Sequence, residues 1–355
     1  MDLLIGRGAD IDAFGGNNGT ALIAACSPSW TDAERLRTVK ILVQNGVNIH
    51  AEGRLGGNAM QAASFNGLVE IVTFLLLKGA DVDSLGGEYG TALIAACCNV
   101  KKEKETVETV KVLITNGAGI NYIGKHRGSA LYQAALNGHH KIVRLLIEAG
   151  ADVNIWNDPM KFPLAATCRG KKNDMKNAKL LLDNGADINA SESLAVKMAS
   201  TVGSKEVVSF FVNNGASLEA DKSGLSALHG AAKFARVEIA DTLIAFGVDV
   251  KSHHFLWGTP LHFACLEDAD EVVSGSFHVV LRKKRAEKRL AMVKFLVKKK
   301  ADVNAWRAGG ISVLHDASER DDQELVNFLI ANGAVDQEGE EGSIKRNKRC
   351  RARTW

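Results

Sequence analysis

At 355 residues, with 46% apolar and 24% charged side chains and only 4 prolines, the chain has the composition of a folded polypeptide, not of a disordered or collagen-like one. The net charge of +3 conceals a division: residues 282–300 hold ten Lys or Arg and one Glu, residues 343–355 hold six and no acid, and the remainder is acidic. Met1–Gly6 lacks the basic start and apolar core of a signal peptide, and no apolar run approaches the roughly 18–20 residues that span a bilayer, so a cytoplasmic or nuclear protein without a membrane partner is expected.

In chain order, residues 3–12 (LLIGRGADID) read as the second helix and following loop of a unit that has no first helix, a partial unit over 1–15. The string TALIAAC then occurs at 20–26 and again at 91–97, each time followed by a Lys-Val helix pattern and Asn-Gly. Aligning the helix-opening positions gives Thr20, Asn58, Thr91, Ser129, Phe162, Leu194, Ser226, Thr259 and Ser312, at intervals of 38, 33, 38, 33, 32, 32, 33 and 53. The unit is about 33 residues long. Five extra residues fall in repeats one and three, which places the two TALIAAC strings one duplicated pair apart. A twenty-residue insertion falls within 266–291, the nine-repeat array covers 16–342, and 343–355 reads as a disordered basic tail.

The register meets two physical demands. Two residues after each start stands an aliphatic or Met side chain (Leu22, Met60, Leu93, Leu131, Leu164, Val196, Leu228, Leu261, Leu314), as a core-facing helix position requires. Six residues after it stands a small one (Cys26, Ser64, Cys97, Ala135, Cys168, Ser200, Ala232, Cys265, Ser318), which permits close helix approach. Each unit therefore reads as a short first helix capped by Thr or Ser, a second amphipathic helix ending at a glycine such as Gly79, Gly150 or Gly185, and an extended finger loop. No unit can bury its own apolar face, so stacking makes the core.

The strings GTPLHFAC (258–265), LSALHGAA (225–232) and ISVLHDAS (311–318), with the closing phrases KGADVD, AGADVN and NGADIN, resemble ankyrin repeats over nearly the whole chain. The resemblance implies an all-α ankyrin-repeat solenoid of about nine repeats plus an N-terminal half-unit, a non-catalytic function in binding other proteins, and hydrogen bonding between units by His229, His262 and His315. The linker LGGEYGTAL is similar to arrays in filamentous-fungal proteins, which often follow a nucleotide-triphosphatase domain. Phe162 and Leu194 depart from the pattern by replacing the capping hydroxyl, and Lys197 replaces the usual His or apolar residue, so repeats five and six are expected to be the weakest.

Nothing specific points to an enzyme, a metal or a cofactor. Four of the six cysteines share the small-residue register, no CxxC pair occurs, and the nearest Cys–His pair, His262 with Cys265, is explained by that same register. Phosphate-loop, H-E-x-x-H and G-x-S-x-G strings are missing. What remains is surface. The finger tips carry Phe14, Leu85, Ile123, Trp156 and Trp306, with Tyr89, Phe255 and Trp257 close by. Aromatic side chains in a row on loops suit a protein interface, so these eight residues, with the concave first-helix face, are the candidate partner-binding surface. A second candidate is the basic patch of Arg282, Lys283, Lys284, Arg285, Lys288 and Arg289. With the tail it would serve a nuclear regulator that binds nucleic acid or acidic chromatin proteins, the less favoured reading.

Overall fold

Thr and Ser at the repeat starts have a short polar oxygen that can take up a free N–H at a helix N-terminus, and most of them do so. Thr20 accepts from Ile23 N–H at 3.5 Å, Thr91 from Ile94 at 3.3 Å, Ser129 from Tyr132 at 3.1 Å and Ser312 from His315 at 3.1 Å. Asn58 forms a reciprocal box, accepting from Gln61 N–H while Gln61 Oε1 accepts from its own N–H, both at 3.0 Å. The computed structural model describes residues 6–15, 19–27, 31–53, 57–100, 103–155, 161–169, 175–266, 277–319 and 322–335, without the side chains of 192 and 277–284. The expected second helix at Leu3, Leu4 and Ile5 and the basic tail lie outside the described residues.

The described residues form nine helix pairs. First helices are α1 (Ala21–Ala25), α3 (Ala59–Phe65), α5 (Ala92–Cys97), α7 (Ala130–Leu136), α9 (Pro163–Arg169), α11 (Ala190–Val202), α13 (Ala227–Lys233), α15 (Pro260–Cys265) and α17 (Val313–Ser318). Second helices are α2 (Asp32–Gln44), α4 (Val69–Leu77), α6 (Glu103–Thr115), α8 (His140–Glu148), α10 (Met175–Asp183), α12 (Lys205–Asn213), α14 (Val237–Ala245), α16 (Phe277–Lys298) and α18 (Gln323–Ala331). The five-residue insertions of repeats one and three lengthen the second helix by about a turn: α2 and α6 have 13 residues where α4 and α8 have 9. Eight of the nine second helices turn out through a glycine at positive φ, +87° at Gly79 and +91° at Gly150, and α16 turns out through Lys300 at +69°, a conformation that strains a side chain.

Packing follows the register. All nine residues two after the starts are buried, from Leu228 at 0% exposure to Leu314 at 7%. Each such leucine contributes about 2–3 kcal/mol by leaving water. Eight of the nine small residues are buried, and neighbouring first helices close over them; Ser318 of α17 is exposed. Side-chain amides stitch successive units together. Asn66 Nδ2 donates to the Cys26 carbonyl and Asn137 Nδ2 to that of Cys97, both at 2.9 Å. In the finger bases, Asn154 accepts from Asp187 N–H at 2.8 Å and donates to the Gly185 carbonyl at 3.0 Å, and Asn304 repeats this with Val335 and Gly333.

Three expectations need correction. Fingers four and nine are antiparallel hairpins, β1 (Ile123–Gly124) with β2 (Gly128–Ser129) and β3 (Trp306–Arg307) with β4 (Ile311–Ser312), so Ile123 and Trp306 sit in paired strands and are half-buried. Phe162, read as a failed cap, is 5% exposed just before α9: it trades a capping oxygen for core area. Leu194 does not open a helix either. α11 already begins at Ala190, and this unit passes from the turn at 188–189 directly into helix where other units extend a finger. Contacts divide the chain into two units, Met1–Leu194 and Ala195–Trp355, and the division falls inside this repeat.

Candidate protein interface

Fingers stack closely because glycine forms their contacts. A Cβ at Gly124 would lie 2.8 Å from the Tyr89 carbonyl oxygen, and one at Gly258 would lie 2.8 Å from Cβ of Arg307. That closeness accounts for the Gly-rich linkers in the sequence and brings side chains of successive fingers into contact.

In the first unit, the Tyr89 ring stacks on Phe65 at 4.9 Å and the Arg127 guanidinium lies 5.3 Å above it, with Arg127 also ion-paired to Glu88. Tyr89 is therefore half-buried, one layer of a stack that joins fingers three and four. Phe14 and Leu85 are open to solvent, at 58% and 52% exposure, and Tyr122 joins them at 37%. Trp156 lies outside the described residues.

In the second unit, His253 Nε2 and the Trp306 carbonyl are 2.9 Å apart, which ties finger eight to finger nine. Arg307 grips Asp316 with two nitrogens, Nε to Oδ2 at 2.9 Å and Nη2 to Oδ1 at 2.7 Å, and its guanidinium lies 5.9 Å from the Trp257 ring. Trp257 and Trp306 are half-buried within this assembly. Phe255 at 61% and Leu256 at 46% are exposed beside it. Asp316 is almost fully buried. Sequence reading overlooked Arg307 and Asp316, although a signal was present: the other units carry an uncharged residue (Ala, Gln, Gly, Met or Phe) at the Asp316 position, and an acid there needs a cation.

The polar groups of the first helices are consumed by structure. His229 Nδ1 accepts from Ser226 N–H at 3.0 Å, and its Nε2 donates to the Gly258 carbonyl at 3.1 Å. Gln61 performs the same two tasks in repeat two, with its Nε2 donating to the Gly90 carbonyl at 2.9 Å. His262 likewise accepts from Thr259 N–H at 3.1 Å, whereas His315 is exposed. Burial pushes both His229 and His262 down to about 4, against weaker opposing pulls from the Gly258 carbonyl and the Asp316 carboxylate respectively. Lys197 is no mismatch: Nζ bonds Asp221 Oδ2 at 2.7 Å. Burial raises the Asp221 carboxyl, but hydrogen bonds from Lys197, Ser223 and the Leu225 N–H outweigh it and hold the group well below the usual range. Burial drives the Cys26 and Cys168 thiols up to about 12, which leaves them unreactive as nucleophiles at neutral pH. Among the described residues, no group of three or more His, Cys, Asp or Glu is placed to hold a metal ion.

The basic patch lies on α16, which is 22 residues long. Arg285 and Lys288 are exposed and Arg289 half-exposed, while Arg282, Lys283 and Lys284 stand on the helix with side chains outside the description. No described helix is long and apolar enough to cross a membrane.

Stacked helix pairs, capped first helices and intervening finger loops define a helical repeat protein. The ankyrin-repeat family model matches residues 1–85, 59–157 and 164–254, well over half of the chain, and the chain belongs to that family. It is 32% identical over 151 residues to human neurogenic locus notch homolog protein 2, covering 37% of this chain and 6% of that protein. It is similarly 32% identical over 148 residues to the mouse notch homolog protein 1 and 31% identical over 151 residues to that of Xenopus laevis. The chain thus spans only about 6% of the length of these relatives. They are vertebrate proteins, and the likeness to fungal arrays rests on the linker alone.

Proposed function

We propose that the chain is a non-catalytic scaffold that binds a partner protein through the row of finger tips and the adjoining first-helix face. Family membership supports protein binding in general, since ankyrin repeats generally mediate protein–protein interaction. One observation carries the finer reading. Phe14, Leu85, Phe255 and Leu256 are apolar, more than 45% exposed and all on fingers, where no core position accounts for them. Tyr89, Ile123, Trp257 and Trp306 are only half-buried and are left as secondary candidates.

The experiment is affinity capture with the whole chain, comparing Leu85→Ala with Phe255→Ala and with Leu77→Ala, a control 79% exposed at the end of a second helix. Partners held by the wild type and by Leu77→Ala should be lost about tenfold or more from the finger variants, as truncating an interface anchor costs 2 kcal/mol or more. If the finger variants retain the same partners undiminished, the finger row is not the interface.

A further inference from the structure

Finger eight presents Phe255 and Leu256, two of the exposed apolar residues of the finger row, and a single imidazole holds its tip together. His254 is 7% exposed, and its Nδ1 accepts from the Leu256 N–H at 3.2 Å and from the Trp257 N–H at 3.0 Å. Its backbone exchanges two hydrogen bonds with Gly258, at 2.8 and 2.9 Å, and its ring stacks on that of Phe255 at 4.9 Å. The remaining N–H of the tip, that of Phe255, donates to the Ser223 carbonyl of finger seven at 3.0 Å. His254 therefore takes up two of the three tip N–H groups.

The same device recurs on both sides of the turn. His229 of α13 and His262 of α15 also turn Nδ1 to a backbone N–H, that of Ser226 at 3.0 Å and that of Thr259 at 3.1 Å. All three rings must be neutral to do so, because an imidazolium is a donor at both nitrogens and would face a second donor. His229 and His262 lie within helix contacts, whereas His254 serves a turn whose tip is in solvent. His253 differs again: its Nε2 donates to the Trp306 carbonyl, a bond that survives protonation.

The charges around His254 are mixed. Finger seven carries the Asp221 carboxylate, itself bonded to Lys197 of α11. The helices α13 and α15 carry the His229 and His262 rings, and finger nine carries Arg307, engaged by Asp316 of α17. Burial pushes the His254 ring below its usual value, the Asp221 carboxylate pulls the other way, and charge on His253 reinforces burial.

We propose that His254 is a proton-operated latch on finger eight: protonation of Nδ1 releases the Leu256 and Trp257 N–H groups, opens the tip and withdraws Phe255 and Leu256 from the partner. The regulatory half rests on the finger row being the interface; the latch itself does not. The closed turn excludes a proton that the open turn binds near 6.5, so closure is complete above that pH and is lost as the pH falls below it.

Hydrogen exchange of the full chain, corrected for the intrinsic pH dependence of amide exchange, tests the latch without a partner. Opening coupled to one proton should lower the protection of residues 255–258 about tenfold between about pH 7.5 and 5.5, with residues 239–243 of α14 more protected throughout. His254→Asn keeps an acceptor oxygen at the position of Nδ1 and takes up no proton, so the fall should shrink to less than about twofold. His229→Gln leaves His254 in place and should retain the full fall, which keeps the test decisive if His254→Asn does not fold. The proposal is overturned if wild-type protection at 255–258 is the same at both pH values, if His254→Asn retains the fall, or if His229→Gln loses it. It is equally overturned if 255–258 is as protected as 239–243 and opens only with the whole unit. These outcomes leave the finger-row reading standing, whereas undiminished capture by Phe255→Ala would remove that reading and leave the latch.

Discussion

Arg307 and Asp316 offer the sharpest test of how finger nine is held. The Asp316 side chain is 1% exposed and that of Arg307 15%, so both charges are largely out of water, and each satisfies the other through the paired contacts. Arg307→Ala leaves a buried carboxylate with no cation. The expected cost is about 3–5 kcal/mol, far above the ~0–1 kcal/mol of an exposed pair. Loss of the guanidinium beside Trp257 adds about 0.5–1 kcal/mol. Asp316→Ala should cost a comparable amount by stranding the cation. The double variant Arg307→Ala/Asp316→Ala removes both charges together and should cost much less than the sum, with a coupling of about 2–3 kcal/mol. Urea unfolding followed by tryptophan fluorescence reads this directly, because Trp257 and Trp306 lie beside the pair. Single variants within 1 kcal/mol of wild type, or a strictly additive cycle, would refute the argument that finger nine is anchored by a desolvated ion pair.

Phe162→Thr restores the capping hydroxyl of the repeat pattern, worth about 1 kcal/mol, but removes a buried phenyl ring worth about 3–5 kcal/mol, so thermal unfolding should shift down rather than up. His229 and His262 make the second unit sensitive to acid: the unfolded chain takes up protons near 6.5 and the folded one near 4, so stability is complete above pH 6.5 and falls between pH 6.5 and 4. The displacement corresponds to roughly 3 kcal/mol for each imidazole as an upper bound. His229→Gln keeps both hydrogen bonds, as Gln61 shows in repeat two, and should flatten the pH dependence of urea midpoints; an unchanged slope would remove His229 as its source.

Periodicity alone determined most of the architecture. The apolar residue two after each start and the small one six after it are buried almost throughout because a helix repeating every 3.6 residues can offer only one face to its neighbours. The insertions were equally legible as lengths, although only the structure shows that they become an added turn in α2 and α6 and a helical extension in α16. The sequence could not decide what the finger residues do. Phe255 and Trp257 are two positions apart and read alike, yet one is exposed and the other is layered against Arg307. The environment of Trp257 comes from the adjacent finger, 50 residues further along the chain at Arg307. Lys197 and Phe162 carry the same lesson: each looks like a defect in its own repeat and is satisfied by burial or by Asp221 in another. Local spacing specifies helices and their core faces because those interactions reach only a few residues. Burial, ion pairing and proton affinity at the fingers depend on contacts between units, which exist only once the chain has stacked.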